Sequence, residues 1–219
     1  MRVCLDPGHQ KFPDSQLEQI APHSSVLKAR CAPGTYGSKT GMAEHTIALE
    51  VALMLKRFVA SRGGEVVLTR STSDVHLSNI ERAQFANHSG ADFCVKIHCN
   101  GVRNLLRKVA FWKRGSMTLI PADKEPTRSI FQPSLRIARI LHEKMLEATR
   151  FTDLGIRTRT DLTGFNWSTI PVVLLELGYL TNPGEERSLV NERFQRHLSE
   201  SLANAIMEAG RSIRLQSDS

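Results

Sequence analysis

No run in this 219-residue chain approaches the ~20 consecutive apolar residues that a membrane-crossing helix needs, which excludes a helical span. Two Trp and two Tyr are too few for an aromatic platform on which bases stack. Lys and Arg are scattered, with Leu105 to Arg114 the densest basic stretch, so no basic stripe marks a nucleic-acid face and no nucleic-acid partner is expected. Cys4, Cys31, Cys94 and Cys99 contain no CxxC pair and no zinc-knuckle spacing. The thiols therefore form no metal framework of their own. Cys4 and Cys94 lie in apolar runs and read as small buried side chains, while Cys31 falls in a loop and is either free or bridged. No HExxH helix is present, which removes the compact metalloprotease pattern. No basic-then-apolar leader precedes the first apolar run, so an export signal is either absent or removed.

What remains is an ordinary globular composition, 41% hydrophobic and 23% charged, long enough for one domain with a substantial core. We expect that domain over residues 1–210, with a polar tail at 211–219, and a monomer. The net charge of +7 favours an anionic partner: a nucleic acid, a membrane surface or an acidic cell-wall polymer.

Arg2-Val3-Cys4-Leu5 is a short apolar run stopped by Asp-Pro-Gly, which predicts a buried strand with His9 just beyond its end. Residues 10–42 carry six Pro and Gly at 13, 22, 33, 34, 37 and 41 with little periodicity, and read as a long surface loop near His9. Ile47, Val51, Leu55 and Phe58 recur at helical spacing up to Gly63-Gly64, placing Glu44 in a first helical turn. Strands are expected at 65–69, 92–98 and 171–175, and helices at 77–88, at 134–149 and beyond Asn182-Pro183-Gly184. Val109 to Trp112 and Met117 to Ile120 suggest a hairpin or one bulged strand. This alternation implies an α/β fold: an open, mostly parallel twisted sheet with helices on both faces.

In such sheets the ligand crevice lies outside the carboxyl ends of the strands. His9, His98 and Glu176 each stand at such an end, on three different strands. Glu44 alone would be an acid favoured by the helix dipole, worth about 0.3–1 kcal/mol. Glu176 closes a fully apolar run and needs a cation or metal to offset its desolvation. Asp6 most simply bonds its own turn, Arg70 and Arg82 hold loops, and Trp112 and Trp167 serve packing or ligand contact. The remaining histidines, at 23, 45, 76, 88, 142 and 197, read as structural. Two imidazoles and a carboxylate form a catalytic zinc site with one position open, and a second carboxylate can act as base. The pattern is that of a metal-dependent hydrolase. The same donors hold non-haem Fe(II) in oxygenases, but strand–helix alternation argues against the all-β scaffold associated with them.

The segments Val3 to His9, the helix opening at Glu44, Leu68-Thr69-Arg70, Arg82 with Ala86-Asn87, Ala91 through Asn100, and Pro171 through Asn182 together carry a family likeness. With these in order over nearly its whole length, the chain resembles the zinc-dependent N-acetylmuramoyl-L-alanine amidases of the amidase_3 type. The resemblance implies one Zn2+ held by His9, Glu44 and His98, with Glu176 as catalytic acid/base and Asn100 as a substrate contact. It implies peptidoglycan as the partner and cleavage of the amide between N-acetylmuramic acid and the stem peptide's L-alanine. The site of action would be the cell envelope, the alternative being a phage lysin made in the cytosol. Gln10 stands where a glycine commonly follows the first histidine. A zinc carboxypeptidase acting on cell-wall peptides and a non-catalytic wall-binding module are the competing readings.

Overall fold

The computed structural model describes residues 1–102 and 112–217, with side chains through Ile213. Six strands form one sheet: β1 (Arg2–Pro7), β4 (Glu65–Leu68), β5 (Phe93–Asn100), β6 (Ser116–Pro121), β7 (Asp153–Arg159) and β8 (Val172–Tyr179), in the order β4-β1-β5-β8-β6-β7. The first four in that order run parallel, β6 lies antiparallel to β8, and β7 parallel to β6. Of the expected strand at 109–112, the residues through Phe111 lie outside the described residues, as does most of the basic stretch 105–114.

The central strands alternate between two cores because successive side chains point to opposite faces. Val3, Leu5, Phe93, Val95, Ile97, Val173 and Leu175 pack beneath three helices: α1 (Glu44–Ala60), α3 (Arg128–Thr149) and α6 (Glu192–Ser217). Cys4, Cys94, Val172 and Leu174 face the other way, toward α2 (Asn79–His88) and the short α4 (Thr163–Asn166). Ser78 opens α2 with a capping box closed by Glu81. Asn182 opens α5 (Pro183–Leu189) by accepting from the amides of Gly184 and Glu185.

The structure differs from or adds to the sequence reading at four places. Residues 10–42 are not all loop. They hold an antiparallel hairpin, β2 (Asp14–Gln19) and β3 (Leu27–Cys31), whose largely exposed strands carry no alternation to read. Helix α3 starts at Arg128 instead of residue 134, because the fold accommodates Pro133 within its early turns. β7 gave no strand signal, since this edge strand carries Gly155 at φ +79° and a register shift. The last helix runs unbroken through residue 210 to Ser217, with Ile213 against the core, so the polar segment after 210 begins as helix.

Candidate metal centre

Each strand tip delivers its side chain for a local reason. β1 ends at Pro7, and the chain turns through Gly8 into His9, which sits in the left-handed region at φ 55°. That strained conformation is held by two buried arginines, Arg70 and Arg82, the side chains expected to hold loops. Arg70 donates to the carbonyls of Pro7 (3.0 Å), Gly8 (2.9 Å) and His45 (2.8 Å). Arg82 donates to those of Pro7 and His9, both at 2.9 Å, and to Gln10 Oε1 at 3.2 Å. Gln10 Oε1 also accepts from the Leu77 amide at 3.0 Å, so this buried side chain helps fix the turn.

Glu44 comes from the opposite side of the sheet, at the first position of α1, where its carboxylate reaches across the strand tips. Oε1 accepts from the Cys99 amide (3.1 Å) and lies 2.9 Å from His98 Nδ1 and 3.3 Å from His9 Nε2. Oε2 accepts from the Thr35 amide at 2.9 Å. His9 Nδ1 donates to the Ala32 carbonyl at 2.8 Å, which leaves Nε2 as the ring atom facing Glu44. The two imidazoles meet edge to face, with ring centroids 4.9 Å apart. One donor atom from each of His9, Glu44 and His98 lies within 4.8 Å of the others, the one such grouping among the described residues. Neutral imidazole nitrogens and a carboxylate oxygen are the donor set of a catalytic zinc site, and their placement fits such an ion. Gly8 makes room for the His98 ring: a Cβ there would lie 2.3 Å from His98 Cε1.

Glu176 is in register with His98 across β5 and β8. Its Oε2 is buried without a hydrogen-bond partner. Burial, reinforced by the nearby Glu44 charge, pushes its pKa up to about 8. Burial also pushes Glu44 upward, but His9 and His98 override it and hold that carboxyl well below the usual range. His9 moves the other way: burial disfavours its cation, yet Glu44, helped by hydrogen bonds to Cys31 and the Ala32 carbonyl, raises it to about 10. Burial lowers His98. Asn100 stands two residues beyond His98, its Oδ1 accepting from the Gly101 amide at 2.8 Å.

Asp6 does not bond its own turn, as the sequence suggested. It is paired with Lys96 and with Arg82 (2.8 Å), and accepts from Thr69 Oγ1 at 2.6 Å. Burial raises its carboxyl, but the two cations override that and hold it well below the usual range. The role of Lys96 was missed, although opposite charges inside two neighbouring apolar strands were a readable signal: each needs a partner when buried. All four cysteines are buried free thiols, so Cys31 forms no bridge. Trp167 donates to the Gln19 carbonyl at 3.0 Å and so holds the hairpin, whereas Trp112 is 83% exposed.

Residues 3–208 match the family model described as N-acetylmuramoyl-L-alanine amidase. An N-acetylmuramoyl-L-alanine amidase of Mycobacterium tuberculosis is 26% identical over 192 residues, covering 84% of this chain and 76% of the relative. The sporulation-specific N-acetylmuramoyl-L-alanine amidase of Bacillus subtilis is 27% identical over 211 residues, covering 95% and 68%. The crystal structure of the amidase Ami1 from Mycobacterium smegmatis superposes with a TM-score of 0.84 at 22% identity, over 97% of both chains, a likeness of fold. With the fold, the strand-tip residues and the family match in agreement, the chain belongs to the N-acetylmuramoyl-L-alanine amidase family, enzymes that hydrolyse the amide between N-acetylmuramic acid and the L-alanine of the peptidoglycan stem peptide.

Proposed function

We propose that His9, Glu44 and His98 hold one zinc ion and that Glu176 is the acid/base of the amidase reaction. The observation that carries this reading is the three-donor grouping with Glu176 in register beside it. A bound zinc supplies Lewis-acid chemistry, polarising the scissile carbonyl and bringing the pKa of water toward ~7. The residues do the rest. Glu176, whose buried Oε2 lacks an internal partner, takes the proton of the attacking water and delivers it to the departing alanine nitrogen. His9 is oriented for its role by the Ala32 carbonyl, and Glu44 by the amides of Thr35 and Cys99. Asn100, with its Oδ1 turned to Gly101, would meet substrate through its amide nitrogen.

The substrate is peptidoglycan, an anionic mesh that suits a chain of net charge +7, and action on it takes place outside the cytoplasm. No helix among the described residues is long and apolar enough to cross a membrane. The test is digestion of defined muropeptides by chelated and by zinc-reloaded protein, read by mass spectrometry. Zinc-dependent release of intact stem peptide with a free alanine amine is expected. Undiminished cleavage by zinc-stripped protein, or removal of C-terminal residues only, would replace this reading, the latter with a carboxypeptidase.

A further inference from the structure

Two rungs of side chains cross the sheet face toward α2 and α4. One contains His98 and Glu176, with Gly8 beside them. Two residues earlier on each strand, Asp6, Lys96 and Leu174 form the second. Over this second rung lies a cavity of about 210 Å³ that is bordered by His9 and His98. β3 contributes Lys28, Ala29 and Cys31 to one wall, with Ala32 just beyond its end, and the segment around α4 contributes Leu162, Thr163 and Phe165 to the other. The hairpin wall is fixed in place. Asn79 Nδ2 donates to the Arg30 carbonyl at 2.7 Å, and Asn166 Nδ2 to that of Ile20 at 3.0 Å.

The charges on this lining do not balance. Arg82, Lys96 and Lys28 face it against one carboxylate, Asp6, which Arg82 and Lys96 already share. The buried trio carries one net positive charge. Partly exposed Lys28 donates to the Asp161 carbonyl at 2.5 Å and lies 3.8 Å from the Asp161 carboxylate, which Arg159 also holds at 2.7 Å. This second group likewise carries one net positive charge. An ammonium has three N–H donors, and Asp6 takes one from Lys96. The Lys96 head group abuts Gly164 in the opposite wall, where a Cβ would come within 2.9 Å of Nζ. An entering group therefore meets cations at the base and mouth and apolar surface between them.

We infer that this cavity receives the stem-peptide side of the substrate through a carboxylate. The inference rests on the amidase reading above and adds which half of the substrate lies there and what is recognised. Of the two groups joined by the scissile amide, the sugar is neutral and its lactyl carboxyl is consumed in the bond, so only the peptide brings carboxylates. The volume agrees. It falls below the ~300–1,000 Å³ of sites for larger ligands, and suits one residue better than a disaccharide.

Two measurements decide the matter. Zinc-loaded protein is given two muramoyl peptides that differ only in having every peptide carboxylate free or every one amidated. The acid should be cut with about tenfold or higher kcat/KM, expressed mainly in KM. That ratio should fall toward one in Lys28→Gln, which alters a hairpin side chain, and in Lys96→Gln, checked for folding by circular dichroism. Separately, metal-free protein is titrated calorimetrically with the free stem peptide and with its amide. The acid should bind about tenfold more tightly than the amide, and Lys28→Gln should reduce the difference. Equal binding of acid and amide by the parent protein would overturn the inference. Failure to cleave either muramoyl peptide would instead overturn the amidase reading, and the titration would still decide the carboxylate preference.

Discussion

His98 and Glu176 stand opposite each other on adjacent parallel strands, so the second imidazole and the orphaned carboxylate share one face of the sheet, one strand spacing apart. The proposed ligand and the proposed acid/base are thus fixed to one rigid element.

Glu176→Gln keeps the shape of the side chain but cannot accept a proton from water. Turnover should fall about 10²–10⁴-fold with zinc content unchanged. Metal analysis alongside muropeptide digestion checks it, and a variant that keeps the parent rate removes Glu176 from the mechanism.

The same substitution should change how the metal-free protein responds to pH. The folded pKa of Glu176, about 8, lies above an ordinary glutamate's. Its favourable contribution is therefore complete at acid pH, below the unfolded value near ~4.3, and is lost as pH rises through about 8. Urea unfolding at pH 5 and pH 8 should show the metal-free parent weakening relative to Glu176→Gln at the higher pH. Parallel curves would contradict the assignment.

Gly8→Ala would set a methyl into the His98 ring, at 2.3–2.6 Å from its nearest atoms. The imidazole must shift, and zinc affinity should drop about 10–100-fold, as when the support of a metal ligand is lost. Competition with a chromogenic chelator measures this directly. Unchanged affinity would mean that the backbone yields instead.

Asp6→Asn leaves Lys96 and Arg82 buried without their shared anion and should cost about 3–5 kcal/mol. Because the folded carboxyl lies below its ordinary ~3.9, its stabilisation is complete above that pH and is lost as pH falls through the depressed value. Denaturant midpoints of parent and variant should therefore lie closer together at pH 3 than at pH 7.

Glu186 accepts from Ser38 Oγ (2.8 Å), the Lys39 amide (2.9 Å), and the Thr40 amide (2.7 Å) and Oγ1 (2.8 Å), anchoring the segment that leads into Glu44. Glu186→Gln should destabilise the protein by about 1–3 kcal/mol and speed hydrogen exchange at the Lys39 and Thr40 amides. Protection equal to the parent's would show that the loop holds itself.

Strand and helix positions were legible where burial imposes a period, as in Val3 to Leu5, Ile47 to Phe58 and Pro171 to Leu175. The hairpin at 14–31 and the edge strand β7 were not, because strands with little buried face leave no such imprint. Arg82 read as a loop support, and it does bond the carbonyls of Pro7 and His9. That it also shares Asp6 with Lys96 was not read.

The sequence by itself determined the alternating architecture and which side chains stand at strand tips, because hydrophobic period and turn residues are local properties of the chain. Only the tertiary structure decided that Glu44, carried by a helix on the far face, meets two histidines from different strands, and that Asp6, Arg82 and Lys96 leave a net positive wall beside them. Those meetings depend on strand order and register, set by contacts between residues 35 to 90 positions apart that no local pattern encodes.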